Sequence, residues 1–284
     1  MTRILVRLCR PRPAALVALS SLVGYLCTGQ HSLTAMTSLS AGVFLLAVAA
    51  TIINQIQERD LDARMRRTEN RPLPAGQISP AAAAGFSLVL GFGSLFLLWS
   101  VGHVIAVATG LLCLLFYNLV YTPLKRVTSL AVFAGAPCGA LPPVIGWVCG
   151  GGSLFEPGIW SLAALLLLWQ IPHTLLFVLH HRDDFRRAGL PLFAASLSPE
   201  QTRVLLQLWL LAVAAVTVTL PLTGQVKSLP GVALFTLLAP ILTISGWRML
   251  ARSDWRSGFV LLNLFLLLTL GCLVFDQVLH FQPL

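Results

Sequence analysis

Apolar residues fall in nine long runs, near 13–29, 36–57, 80–100, 102–121, 128–149, 158–181, 203–223, 229–249 and 257–279, with polar residues crowded into the gaps. Each run approaches or exceeds the roughly 20 residues a helix needs to cross about 30 Å of hydrocarbon. Inside lipid the backbone must satisfy its own hydrogen bonds, which leaves helices as the simple reading of such runs. The pattern predicts an all-α membrane protein of about nine transmembrane helices, a single domain over residues 1–284 with no soluble domain beside it. The fifth run differs from the others, because GAPCGALPPVIGW holds Gly135, Pro137, Gly139, Pro142, Pro143 and Gly146. Helix breakers are tolerated in a span where freed backbone groups are buried in protein or face a cavity. This span is therefore expected to be broken or kinked and to wall a pocket.

Composition strengthens the membrane reading. Hydrophobic residues make up 57% of the chain and charged residues 10%, against about 25% charge in a soluble domain. The net charge of +9 raises the question of nucleic acid, which the distribution of the charge answers. Eighteen of the nineteen lysines and arginines fall in the tail before the first run and in alternate gaps, leaving Lys227 alone on the other side. The positive-inside rule accounts for that bias. It predicts a cytoplasmic N-terminus, an outward C-terminus and a multi-pass protein of the bacterial inner (plasma) membrane, with no nucleic-acid partner. The basic start and first apolar run have the form of a signal peptide but lack a small-residue cleavage site, so they are expected to stay as the first helix. The six cysteines are scattered with no metal-ligand spacing and read as small buried side chains.

Chemistry concentrates in two places. At the end of the second run, NQIQERDLDARMRRTENRPLPAG places Asn54, Glu58 and Asp62 four residues apart, on one face of a helix. Arg64, Arg66, Arg67 and Arg71 follow, and Pro72 and Pro74 would end the helix in a rigid turn. Asp60 lies off that face, where it could pair with Arg64. Four runs later, WQIPHTLLFVLHHRDDFRRAGLPLF carries His173, His180 and Asp184, which share one face if the helix continues beyond the membrane, with Phe177 between them. Between these stretches, YNLVYTPLKRVTS offers Lys125 and Arg126. Carboxylates repel a diphosphate unless a hard divalent ion stands between them, and Mg²⁺ takes oxygen from one or two carboxylates and from substrate phosphates together. Guanidinium groups at Arg67 and Arg71 would then hold the phosphate oxygens. A lipid diphosphate could bind by its head there, with its tail among the helices.

N-x(3)-E-x(3)-D followed by RT-x-NRPLPAG resembles the first signature of the UbiA-type intramembrane prenyltransferases, and YTPLKR, GALPPVIGW and WQIPH with RDDFRRAGLPLF resemble the haem O synthase branch of that family. The resemblance covers almost the whole chain. It implies a helical bundle around a central cavity open toward the cytoplasmic side, a metal and diphosphate site at Asn54, Glu58, Asp62 and Asp184, and substrate contacts at Arg67, Arg71, Lys125, Arg126 and His173, with His180 beside them. The implied reaction is transfer of farnesyl from farnesyl diphosphate to a vinyl group of protohaem (haem B), with addition of water to give haem O and release of diphosphate. Mg²⁺ would be the cofactor, protohaem a substrate, and haem-handling proteins of terminal oxidase assembly possible partners within the bilayer. The chain departs from the family at Glu58, where Asp is usual, at Val127, where a basic residue is usual, and at Ala131 in place of Asn. Other acceptors, such as an aromatic or quinone precursor, stay open at this point. So does a transporter, since kinked spans with carboxylates also mark ion pathways.

Overall fold

The computed structural model describes residues 2–192 and 197–279, and the helices account for nearly all of them, with no strand among the described residues. A short amphipathic α1 (Thr2–Cys9) precedes α2 (Pro11–Leu26) and α3 (Leu33–Gln57), which gives way to the one-turn α4 (Arg59–Asp62). The long α5 (Pro80–Leu115) widens into a π-helical stretch at Phe116–Tyr121 and runs on as α6 (Thr122–Val127). Then come α7 (Ala131–Cys149), α8 (Pro157–His180), the short α9 (Arg182–Arg187), α10 (Pro199–Thr219), α11 (Leu229–Ala251) and α12 (Trp255–Leu279).

Seven of these elements are long and apolar enough to cross a membrane, where the sequence pattern suggested nine. Two local features account for the difference. The helix expected at 13–29 forms as α2 with only 16 residues. The third and fourth runs form one continuous element, Pro80–Val127, of 48 residues. His103 (φ 50, ψ −147) breaks the helical path inside it. Beyond that residue the chain doubles back, because Gly110 lies against the Leu98 side chain. A helical hairpin thus turns on a single non-glycine residue at positive φ, a conformation that costs about 1–3 kcal/mol and must be held by its surroundings.

The two largest apolar clusters lie side by side. Tyr25, Leu39, Val43, Leu98 and Ile145 join α2, α3, α5 and α7. A larger cluster including Val144, Leu165, Leu206, Phe235 and Leu262 joins α7 to α8, α10, α11 and α12. The shared wall is α7 together with α2, whose Val23 belongs to the larger cluster and Tyr25 to the smaller. Contrary to the expected break, α7 runs as one helix through Pro137, Pro142 and Pro143. Close packing against α2 supports it: a Cβ on Gly146 would overlap the Ser21 carbonyl oxygen, and one on Gly24 of α2 would overlap the Pro143 carbonyl oxygen. Small residues let membrane helices approach backbone to backbone in this way. Because neither clash is with a flexible side chain, Gly146→Leu is expected to cost well over the ~1–3 kcal/mol of ordinary overpacking. A lowered melting temperature in detergent, relative to a lipid-facing control such as Leu237→Ala, checks this.

The bundle collects its arginines at one end. Arg7 donates to the Asn70 carbonyl oxygen (2.6 Å), Arg126 reaches Asp60 (2.8 Å), and Arg203 donates to Ser253 Oγ (2.9 Å), so the tail and the loops after α3, α5 and α11 meet there. Lys227 lies at the opposite end, where its backbone N–H and that of Ser228 donate to the buried Asp276 carboxylate at 2.7 and 3.0 Å.

Candidate functional site

The last turn of α3 carries its register across a break. Glu58 (φ −105, ψ 13) leaves helical geometry, yet its N–H donates to the Asn54 carbonyl oxygen (2.9 Å) and the Asp62 N–H donates to the Glu58 carbonyl oxygen (2.8 Å). The four-residue spacing therefore still stacks the three side chains. Asn54, Glu58 and Asp62 are exposed by only 3%, 6% and 3%. Burying a charge at that depth costs several kcal/mol unless it is paired. Glu58 Oε1 meets Lys125 Nζ at 2.6 Å, and Asp62 Oδ2 meets Arg71 Nη1 at 2.7 Å. Asn54 Nδ2 donates to Thr122 Oγ1 (3.0 Å). The turn after α4 is pinned by Gln77 N–H to the Pro72 carbonyl oxygen (2.8 Å) and by Gly76 at φ 66, which holds Arg71 in place.

Asp60 takes a different partner from the one expected. Arg126, not Arg64, grips it with two nitrogens at 2.8 and 3.1 Å and also donates to the Gln57 carbonyl oxygen. The hydrogen bond from Arg126 holds the Asp60 carboxyl below the usual carboxylate range. A depressed folded-state value contributes stability above the unfolded pKa that is lost as pH falls through the folded value. The pair is half exposed, so Asp60→Asn is expected to cost no more than about 1 kcal/mol near neutrality and nothing below the carboxylate range. Melting curves of both proteins from neutral to acid pH should converge.

The second polar stretch does not continue as one helix. The chain turns at His181 (φ −110, ψ 23) before α9 begins, and this rotates the downstream residues relative to α8. Asp184 consequently swings onto the loop after α4, where its Oδ1 accepts the Arg66 backbone N–H at 3.2 Å. Arg187 Nη1 lies 3.7 Å from the same oxygen. The expected grouping of His180 with His173 and Asp184 does not form. His180 is exposed, and the α8 face toward the site instead carries His173, Phe177 and His181. His181 makes a 3.0 Å contact from Nδ1 to the Phe177 carbonyl oxygen. A four-residue spacing from Trp169 through His173 and Phe177 to His181 was the available signal.

A third arginine joins the two expected ones. Arg10, at the junction of α1 and α2 with φ 47, shares its surroundings with Arg71, Tyr117, Asp62 and Glu58. Burial and then Arg71 pull its pKa down, and burial, Arg71 and Arg10 do the same to Arg67. Arg67 also lies over the Phe177 ring at 5.0 Å. Crowded, partly desolvated guanidiniums repel one another, an arrangement that a multivalent anion relieves. Beside them, Tyr121 and Lys125 open a recess that α7, α8 and α10 line with Val132, Thr174, Val178 and Leu206. Of the Pro- and Gly-rich helix only the first residues, Ala131 and Val132, reach this recess, and the stretch from Gly135 to Gly146 does not line it.

Among the described residues no three His, Cys, Asp or Glu side chains gather closely enough to hold a metal ion by themselves. The donors present are hard oxygens, with the Glu58 and Asp62 carboxylates paired with Lys125 and Arg71 and Asp184 accepting the Arg66 N–H. That suits Mg²⁺, which completes its octahedron from substrate phosphates and water, better than zinc or another ion that needs an all-protein cage.

Residues 16–273 match the UbiA prenyltransferase family. The chain belongs to that family. Its UbiA relatives include protoheme IX farnesyltransferases from Oleidesulfovibrio alaskensis, 38% identical over 278 residues with 98% of each chain covered, and from Geobacter sulfurreducens, 40% identical over 245 residues with 86% of this chain and 89% of the relative covered. The fold is also that of a UbiA homologue from Archaeoglobus fulgidus bound to GPP and Mg²⁺ (TM-score 0.71, 15% identity, 98% and 99% of the two chains covered). The UbiA bundle therefore extends over nearly the whole molecule.

Proposed function

We propose that the protein converts protohaem to haem O, transferring farnesyl from farnesyl diphosphate with addition of water. The observation that supports this reading is the hydrogen bond from the Arg66 N–H to Asp184, which ties a carboxylate from the second half of the chain to the loop that also carries Arg67 and Arg71. Relatives named protoheme IX farnesyltransferase, matched nearly end to end, support the choice of acceptor and donor.

In this reading Asn54, Glu58, Asp62 and Asp184 hold Mg²⁺, which when bound supplies neutralising charge for the diphosphate. Arg10, Arg67 and Arg71 orient the diphosphate and stabilise the charge that grows on it, and Lys125 adds a further cation once released from Glu58. The bond from farnesyl C1 to the diphosphate oxygen breaks with both electrons going to oxygen. The vinyl π pair of protohaem forms the new bond to C1, and water adds to the resulting cation and yields a proton to solvent. The apolar recess keeps other water away from the allylic cation. The arginine-rich end faces the cytoplasm of a bacterial inner membrane, and the product passes to haem-handling proteins of oxidase assembly.

The decisive experiment incubates purified protein with protohaem, farnesyl diphosphate and Mg²⁺ and identifies the products by mass. A farnesylated, hydrated haem that depends on Mg²⁺ is expected. Unmodified haem alongside a prenylated phenol or quinone precursor in a parallel reaction would overturn the acceptor assignment.

A further inference from the structure

The π-helical stretch at Phe116–Tyr121 sets which residues of α6 face α3. A π turn takes in about one residue more than an α turn, so it rotates the helix beyond it by roughly 100°, and such bulges are frequent at functional sites. Beyond it, three side chains reach the end of α3 and the turn that follows. Thr122 meets Asn54 at 3.0 Å, Lys125 meets Glu58 at 2.6 Å and Arg126 meets Asp60 at 2.8 Å. The stretch itself is tied to α3 as well: Asn118 Nδ2 donates to the Ala50 carbonyl oxygen (3.0 Å), and Gln57 Nε2 donates to the Asn118 carbonyl oxygen (3.0 Å).

The consequence lies at Thr122, which is buried. The Tyr117 carbonyl oxygen accepts both the Thr122 backbone N–H and the Thr122 hydroxyl, the latter at 2.7 Å. A hydroxyl has one proton to give and lone pairs to accept with. Because that proton is spent on a carbonyl, which can only accept, Thr122 Oγ1 has only lone pairs left for Asn54. The carboxamide must turn its Nδ2 to Thr122, as it does at 3.0 Å, and its Oδ1 the other way. Among the described residues nothing donates to Asn54 Oδ1. The orientation matters because the oxygens of Glu58, Asp62 and Asp184 come in equivalent pairs, whereas an amide turned end for end would offer a hard cation an NH₂ group.

We infer that Thr122 is a positioning residue of the metal site: anchored on the Tyr117 carbonyl oxygen, its hydroxyl holds the Asn54 carboxamide with the oxygen toward the cation. This rests on the proposed Mg²⁺ and diphosphate site and adds what orients the one neutral ligand in it. Partners of this kind, one bond removed from the metal, fix the ligand that touches it. The π-helical stretch thereby gains a task, since an uninterrupted α-helix would carry Thr122 away from Asn54.

The test titrates purified protein with Mn²⁺, which takes the same hard oxygen ligands as Mg²⁺, in the presence of farnesyl thiodiphosphate as an unreactive donor analogue, and reads bound metal by electron paramagnetic resonance. Thr122→Val removes the hydroxyl at nearly constant volume and should weaken Mn²⁺ binding about tenfold, whereas Thr122→Ser, which keeps the hydroxyl, should stay within about threefold of wild type. Raising Mg²⁺ should bring back turnover of Thr122→Val. A purely structural role would lower the melting temperature and leave metal affinity where it was. Should the valine variant fail to fold, Thr122→Cys, similar in size but a weak acceptor, should show a loss larger than that of Thr122→Ser. Wild-type metal affinity in folded Thr122→Val or Thr122→Cys, or an equal loss in Thr122→Ser, would overturn the inference. Farnesyl transfer by wild type, assayed in parallel, separates the two levels: haem product together with unchanged Mn²⁺ affinity in Thr122→Val removes this inference only, whereas a wild type that binds no Mn²⁺ removes the metal reading beneath it.

Discussion

Asp62→Asn is expected to lower farnesyl transfer by about a hundred- to a thousandfold, the loss typical when one group stabilising a charged transition state is removed. Asparagine retains an oxygen to accept from Arg71, which wild-type Asp62 engages at 2.7 Å, so the buried contact persists without its negative charge. Alanine would leave Arg71 unpaired and confound catalysis with a folding loss of about 3–5 kcal/mol. The measurement is turnover at saturating farnesyl diphosphate and Mg²⁺, with helix content and elution volume as controls. Turnover within tenfold of wild type, from a correctly folded variant, would remove Asp62 from the metal site.

Asp184→Asn should have a comparable effect by a distinguishable route. The asparagine oxygen can still accept the Arg66 N–H that Asp184 Oδ1 holds at 3.2 Å, so the loop and α9 should stay together. What disappears is one of the carboxylates available to a hard cation. We expect turnover to fall about a hundredfold at ordinary Mg²⁺ and to recover in part as Mg²⁺ is raised. A loss of turnover that Mg²⁺ leaves untouched would instead assign Asp184 to holding the loop.

The parts of this arrangement that were legible in the sequence are those set by local geometry. Asn54, Glu58 and Asp62 repeat with the helical period, and backbone hydrogen bonds preserve that period even where the helix label ends. The boundary between the third and fourth apolar runs, placed near residue 101, falls within two residues of the reversal at His103. What could not be read depends on distant chain or on one residue's dihedral angles. Asp60 had a nearby candidate in Arg64, but Arg126, 66 residues away, offers two nitrogens at once. His180 falls seven residues after His173 and His181 eight, both compatible with one helix face, and the turn at His181 leaves His180 exposed. Arg10 looked like a topology signal because nothing in a run of arginines and prolines shows that α1 folds back to place it beside Arg71.

The gathering of the acids and arginines at one end of the bundle has an energetic corollary. In the proposed reaction diphosphate would arrive, depart and give up its charge on the side where the arginines lie, and the proton released on hydration would leave by the same mouth. The other end offers Lys227 and Asp276 tied into helix caps, with no polar relay leading to them from the site among the described residues. A full catalytic cycle thus carries no net charge through the bilayer, and its rate should be indifferent to the membrane potential.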